Sequence, residues 1–332
     1  MTLLTEPERA LPGSGPTTAA TGTPRSGRRR GRRTAESGTA TRSLISDLEL
    51  ARPRARVLYF LTLTGTVVVF AAAFLFPLYW MVTAALKTPA QMADNTVGSL
   101  VPTSFQLSNY ADAWNEMHIA HFFLNTVYYA AGGWFIQIVV DVTTAYALSK
   151  LRPVFGRAVF GMMLASLMLP ATALLVPAYL NITSLPFIHL NLLNSPWGLW
   201  LPGAANAFNV YVLKRFFDQI PDELLDAASI DGASRLQILG RIILPLSRPV
   251  LAVISILSVI GIWKDFLWPM LVLQDPEAQT LSVALQRLSA TTQVPPTEMI
   301  AGLAIASVPM VVVFLVFQRH ILAGLSAGAV KG

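Results

Sequence analysis

Six stretches of this chain are each long and apolar enough to cross a bilayer, and nothing else in the sequence limits its fold so strongly. A crossing helix takes about 20 mostly apolar residues, and the stretches run approximately over 57–86, 122–149, 158–180, 197–217, 250–273 and 299–321. With 54% hydrophobic and 13% charged residues among 332, the chain is too apolar for a soluble domain of its length. The sequence has no Cys, which excludes disulfides, thiolate metal sites and cysteine nucleophiles. The expected fold is all-α, a polytopic membrane protein with six transmembrane helices.

An even number of crossings puts both ends on one side, and Lys and Arg decide which. With the N-terminus inside, the inside segments hold 21 of the 24 Lys and Arg, the outer loops hold Lys87 and Arg287, and Lys264 lies within a span. Without the N-terminal tail the inside segments still lead by 10 to 2. Residues 1–56 are then a basic cytoplasmic tail, 57–322 the membrane domain and 323–332 a cytoplasmic C-terminal tail. Residues 1–43 are rich in Gly, Pro, Ser, Thr and Arg without an apolar period, the composition of a disordered segment. The run from Arg28 to Arg33 reads as an attraction to anionic lipid rather than to nucleic acid. It does not read as an export signal either, because the apolar run begins only near Val57 and is long enough to span.

One polar stretch, 220–249, interrupts the apolar pattern between two spans, and the charge count makes it cytoplasmic. Pro221 suits a first helical turn, with Asp222 and Glu223 where the helix dipole favours negative charge. Ala227, Ala228 and Ser229 leave room for another protein to approach the backbone, and Gly232 ends or bends the helix. Ser234 and Gln237 form a capping box that starts a second helix, and Pro245 and Pro249 close the stretch.

Polar residues inside the spans are costly in hydrocarbon and need a reason. Asn125, Gln137, Asn206 and Asn209 either line a polar path or act as interhelical glue. Trp263, Lys264 and Asp265 come late in the fifth span. Adjacent Lys and Asp cannot face each other on a helix, so a pathway wall and an ion pair to a neighbouring helix both stay open. Asp141 reads as a solvated or paired carboxylate near the cytoplasmic end of the second span. Gly132, Gly133, Pro170, Pro177 and Pro202 mark places where helices bend or pack closely. His118 and His121 share a helical face but have no third ligand nearby, so no metal site is expected, and no cofactor.

The pattern Asp226-Ala227-Ala228, Gly232, Ile242, Leu244 and Pro245 resembles the cytoplasmic "EAA" loop of ATP-binding-cassette (ABC) importer permeases, with Asp226 where that family usually has Glu. Other segments are similar to the carbohydrate-type, maltose-permease-like subunits: Leu86-Lys87-Thr88-Pro89, Ser108-Asn109-Tyr110, Asn125-Thr126, Ala145-Tyr146-Ala147-Leu148, Leu169-Pro170, Trp263 with Asp265 to Pro269, Thr280-Leu281, and Ala327 to Gly332. The resemblance covers about residues 57–332. Lys264 stands where the family commonly has Asn, and the long N-terminal tail lies outside the resemblance.

This resemblance implies an ABC importer permease fold with a cytoplasmic coupling helix, in which Glu223, Asp226, Ala227, Ala228, Asp231, Gly232 and Pro245 serve ATPase coupling. It implies a second, homologous permease, ABC ATPase subunits, an extracellular solute-binding protein and a carbohydrate cargo, in a multi-pass cell-membrane protein. The 332 residues contain no G-x-x-x-x-G-K-[ST] loop, so ATP hydrolysis falls to a partner and the chain is a transport subunit rather than an enzyme. The competing class is an ion-coupled secondary transporter of a polar solute, with Asp141 and Asp265 as its intramembrane carboxylates. Nothing in the sequence fixes which sugar is carried.

Overall fold

The computed structural model describes residues 53–94, 96–290 and 294–329. The expected tail therefore lies almost wholly outside the described residues, as does the C-terminal end 330–332. The chain divides into two units, Met1–Gly65 and Thr66–Gly332. Of the former, only residues 53–65 are described, as helix.

Every regular element among the described residues is helical. Three helices are long and apolar enough to cross a membrane: α1 (Pro53–Ala84), α3 (Ile119–Tyr146, extended by a π turn, Ala147–Leu151) and the last, α13, within Pro296–Gln318 of its full Pro296–Ala329 extent. Before α3 lies α2 (Ser108–Glu116). Two further pairs pass the same test only as bent units. One joins α4 (Gly156–Ser166) to the segment Ala171–Thr183, which contains α5 (Leu175–Thr183), at a bend of 106°. The other joins Arg235–Leu246 to Arg248–Lys264 at 84°.

The expected crossing over 197–217 is not one helix. It divides into α6 (Pro196–Trp200) and α7 (Ala207–Phe217). Asn206 causes the restart by leaving helical geometry and accepting hydrogen bonds from the N–H groups of Phe208 and Asn209 at 3.0 and 3.1 Å, the action of an N-cap. The described helices thus give three continuous candidates, or five counting the bent pairs.

The 220–249 stretch folds as α8 (Asp222–Ile230), a Gly turn and α9 (Arg235–Ile238), which runs through a π turn into a short helix, Leu244–Leu246. Then come α10 (Arg248–Lys264), α11 (Leu267–Val272) and α12 (Leu281–Ser289).

The α3 helix organises the larger unit, packing along α7 and α10. Its N-terminal end, Ile119 and Phe122, joins a cluster with Met117, Leu281, Leu285 and Ala301. Its C-terminal end, Val142 to Leu148, joins another with Leu213, Phe217, Leu225, Ile238 and Ile243. Ile119 and Tyr146 lie about 40 Å apart at the helical rise, so α3 connects two separately packed ends. The second of these carries α8 and α9, since Leu225, Ile238, Leu239 and Ile243 are buried there while the intervening turn is not.

Lys87 lies in the turn after α1 and is buried there. It is 0% exposed, its Nζ lies 3.8 Å from the centroid of the Trp80 ring, and that Nζ has no hydrogen-bond partner among the described residues.

Candidate functional site

The site is built around α8. Its start carries Asp222 and Glu223 in the first turn, after Pro221. Its end is a Schellman cap. Gly232 sits at φ +82°, its N–H bonds to the Ser229 carbonyl at 3.1 Å, and the Ala233 N–H bonds back to Ala228 at 2.9 Å. The two alanines pack together on the underlying core. The predicted capping box is present, with the Gln237 N–H donating to Ser234 Oγ at 3.3 Å and the Ser234 N–H to Gln237 Oε1 at 2.8 Å.

One side of α8 has a partner and the other has none. Leu225 is buried and Ala228 half-buried, whereas Glu223, Leu224, Asp226, Ala227, Ser229 and Ile230 are exposed, Ile230 at 86%. Asp231 and Gly232 lie exposed in the turn, and Leu236 projects from α9 at 77% exposure. Pro245 is exposed on the short helix that follows. The arrangement presents a small-residue helix edge flanked by large apolar side chains and carboxylates, and nothing among the described residues covers it.

The seat beneath α8 is polar and made by residues that sequence patterns did not single out. Lys150 Nζ donates to the Ile220 carbonyl at 2.6 Å and to Asp222 Oδ1 at 2.7 Å. Arg152 Nη2 donates to Asp222 Oδ2 at 3.1 Å, and its Nε to the Ser149 carbonyl at 3.1 Å. Arg152 can do so because it leaves α3 in the left-handed region, at φ 48°. Ser149 Oγ and Lys214 Nζ donate to the two oxygens of Asp218 at 2.7 and 2.8 Å, and the Tyr146 hydroxyl donates to the Arg235 carbonyl at 3.2 Å. The Lys150 hydrogen bond and charge, with Arg152 adding to them, hold the Asp222 carboxyl below its ordinary 3.8. Burial would raise that of Asp218, but the donors Lys214 and Ser149 outweigh it and the net direction is down. The only sequence signal for these contacts was the basic residues crowding the end of the second span.

The candidate pathway residues Asn125, Asn206, Asn209, Trp263, Lys264 and Asp265 do not form one group. Asn206, Asn209, Lys264 and Asp265 line a cavity of about 550 Å³ with Gln137 and Ser258. A second cavity, of about 350 Å³, shares Gln137, Ile262 and Asp265 with it and adds Tyr129, Trp200 and Trp268. Asn125 stands elsewhere, where its amide donates to the carbonyls of Glu277 and Gln279 at 2.8 and 3.1 Å and pins that turn. Trp263 packs edge-on against Phe123 with ring centroids 5.7 Å apart. Asn206 and Asn209 also act as glue. Asp141 is fully buried and accepts from the Asn206 N–H at 2.8 Å and from Asn209 Nδ2 at 2.9 Å, while Asn209 also reaches Ser258 Oγ at 3.1 Å.

Asp265 and Lys264 lie at a helix break rather than mid-helix. The α10 helix ends at Lys264, and the Asp265 carboxylate turns to the Trp268 N–H at 3.5 Å, beside α11. Lys264 is exposed and makes no ion pair with Asp265. His121 Nε2 lies 2.8 Å from the Glu277 carbonyl oxygen, and no three potential metal ligands gather among the described residues.

Residues 142–326 match the family of binding-protein-dependent transport system inner membrane components. The melibiose/raffinose/stachyose import permease protein MelC of Bacillus subtilis is 29% identical over 84% of this chain and 99% of its own length. The probable ABC transporter permease protein YurM of the same organism is 31% identical, covering 78% of this chain and 85% of YurM. Among solved structures, a chain of a bacterial ABC transporter involved in the import of the acidic polysaccharide alginate superposes with a TM-score of 0.71 at 25% identity, over 81% of this chain and 98% of that one.

Proposed function

Because the chain belongs to the family of binding-protein-dependent transport system inner membrane components, we propose that it is the membrane-spanning permease subunit of an ATP-driven importer. It forms half of the translocation path for a sugar or oligosaccharide handed over by an extracellular solute-binding protein. A second, homologous permease supplies the other half. The chain crosses the cell membrane six times with both termini in the cytoplasm, an orientation that the asymmetry of Lys and Arg supports. In this reading 197–217 is a crossing interrupted at Asn206, which membranes tolerate where irregular backbone is buried in protein or lines a cavity.

The observation that carries the proposal is the rigidly seated but uncovered helix α8. A coupling element has to be accessible to a partner on one face and fixed to the transmembrane helices on the other. The exposed edge of Asp226, Ala227 and Ile230 meets the first requirement. Leu225 in the core and the Lys150–Asp222–Arg152 contacts meet the second. Movement of an ATPase subunit against this edge then passes to α3 and α7 as a rigid-body shift, one of the recurring forms of alternating access. The carbohydrate assignment draws on the relatives named above, MelC among them. The cavity with Tyr129, Trp200 and Trp268 in its wall is compatible with a polar cargo that carries apolar ring faces.

The test is a mild-detergent pull-down of the tagged chain with mass spectrometry of its partners, repeated with Asp226→Lys and Gly232→Pro. Recovery of an ABC ATPase that either substitution removes, at unchanged membrane insertion, is the expected result. A chain that comes out alone even after cross-linking overturns the coupling reading and returns the ion-coupled carrier to first place.

A further inference from the structure

A third cavity, of about 490 Å³, opens at the turn between α3 and α4 and is lined by Arg152, Arg157, Phe160, Lys214 and Asp218 among others. Its charge is one-sided, with three cations and one carboxylate. That carboxylate is occupied, since the oxygens of Asp218 accept from Ser149 and Lys214. Arg152 spends one Nη on Asp222 and its Nε on the Ser149 carbonyl. Arg157 has neither a hydrogen bond nor an ion pair among the described residues. Lys214 also lies 5.2 Å from the centroid of the Phe160 ring, which fixes its position in the wall.

The rim of this cavity is not what a soluble anion site or a water-facing loop would carry. Val154 and Phe155, in the turn itself, are 93% and 77% exposed, and Val159 and Met162 on α4 are exposed as well. An uncompensated guanidinium beside bare apolar side chains, at the end of a crossing helix, matches the boundary between headgroups and acyl chains in both chemistries.

We propose that the cavity walled by Arg152, Arg157 and Lys214 binds the phosphate of an anionic phospholipid headgroup from the cytoplasmic leaflet, with Val154 and Phe155 set among the adjoining acyl chains. This rests on the proposed orientation, in which both termini and hence the 150–157 turn after the second crossing are cytoplasmic. Arg152 then has two anionic partners, the lipid phosphate and Asp222. A lipid in this cavity therefore touches the same side chain that holds the start of α8, and headgroup charge adjusts how firmly that helix is seated.

The experiment uses the assembled importer, full-length chain with its permease and ATPase partners, in nanodiscs of phosphatidylcholine with and without phosphatidylglycerol. Wild type, Arg157→Gln, Arg157→Lys and Phe155→Ser are compared by native mass spectrometry of retained lipid. Wild type and Arg157→Lys are expected to retain phosphatidylglycerol, while Arg157→Gln holds it about fivefold more weakly, the usual effect of one basic residue near a charged membrane surface. Phe155→Ser is expected to weaken retention without selecting between headgroups. Equal retention by wild type and Arg157→Gln overturns the proposal. Displacement of the lipid by inorganic phosphate alone overturns its lipid part and leaves a soluble-anion site. Retention seen only after removal of the ATPase overturns it in favour of a protein contact. Labelling of a single Val154→Cys residue in intact cells keeps the premise separate, since the chain has no other Cys. Reaction with an impermeant reagent from outside defeats the orientation itself, whereas protection from it combined with unchanged retention defeats the lipid site alone.

Discussion

Lys150 Nζ and Asp222 Oδ1 lie 2.7 Å apart, the first on a side chain only 6% exposed at the end of α3 and the second on a side chain 55% exposed at the first turn of α8. The ammonium also bonds the Ile220 carbonyl. A nearly buried cation thus ties the polar stretch to the longest-packed helix at two points. Lys150→Met leaves the Ile220 carbonyl without its donor, a loss of about 1–3 kcal/mol locally. The expected outcome is faster amide hydrogen exchange over 220–231 with α3 unchanged, and reduced uptake at equal membrane abundance.

The depressed carboxyl of Asp222 sets a pH expectation whose sign follows from its direction. A carboxyl held below 3.8 in the folded state contributes stability that is fully present above 3.8 and is lost as pH falls through the lowered folded value. The seating of α8 is therefore constant across the neutral and mildly acid range. In Asp222→Asn this acid-dependent part disappears. Hydrogen exchange over 222–230 in both proteins, followed from neutral pH into strong acid, measures the difference. A wild type that already loosens well above 3.8 contradicts the assigned contact.

Gly232 separates space from backbone conformation. A Cβ added there meets nothing within 4 Å, but φ is +82°. The penalty for Gly232→Ala is then conformational alone, about 1–2 kcal/mol, and Gly232→Asn is expected to lose less because Asn tolerates the left-handed region. Gly232→Pro is the most damaging, since its φ is fixed near −65° and the N–H that bonds Ser229 is removed. Uptake should follow the order Gly, Asn, Ala, Pro. An Ala variant indistinguishable from Pro goes against the conformational account.

Gly198 presents the opposite case. A Cβ there falls 2.4 Å from the Leu192 carbonyl oxygen and 2.9 Å from Val272, whereas one on Gly133 falls no closer than 3.3 Å to side-chain atoms. Backbone cannot yield as a side chain can, so Gly198→Ala is expected to cost about 1–3 kcal/mol and Gly133→Ala much less. Thermal melting of the purified proteins in one detergent ranks them, and a reversed order removes the packing argument.

Asp141→Asn probes the intramembrane cluster. The carboxylate accepts from both the Asn206 N–H and Asn209 Nδ2, and an amide offers only one oxygen to those two donors. A loss of about 1–3 kcal/mol is expected, read as a lower melting temperature. Uptake that survives with its sodium and proton independence intact separates this structural role from an ion-coupling one. Uptake that becomes ion-independent only in the variant supports the carrier reading instead.

Local features of the polar stretch were legible in the sequence because their physics is local. The Gly232 turn and the Ser234–Gln237 box each close within five residues, so residue type and spacing suffice to place them. The apolar stretches were legible for a related reason, as hydrocarbon demands a run of one character whatever packs beside it. Their continuity was not legible. The break before α7 depends on Asn206 capping while its own N–H is taken by Asp141, and that carboxylate comes from 65 residues earlier. Asn125 stayed between a polar path and interhelical glue by type and depth, and the carbonyls it binds, 152 and 154 residues away, could not be read from spacing.

The sequence by itself determined that the chain belongs in a membrane, which segment stays polar, and where that segment's first helix ends and its second begins. Tertiary structure alone decided that Lys87 lies beneath Trp80, that Lys150 and Arg152 meet Asp222 some 70 residues on, and that one edge of α8 is left uncovered. The physical reason is range. Caps and apolar runs are settled by neighbours along the chain, whereas a buried charge or amide takes whichever partner the packing of distant helices brings within hydrogen-bond reach.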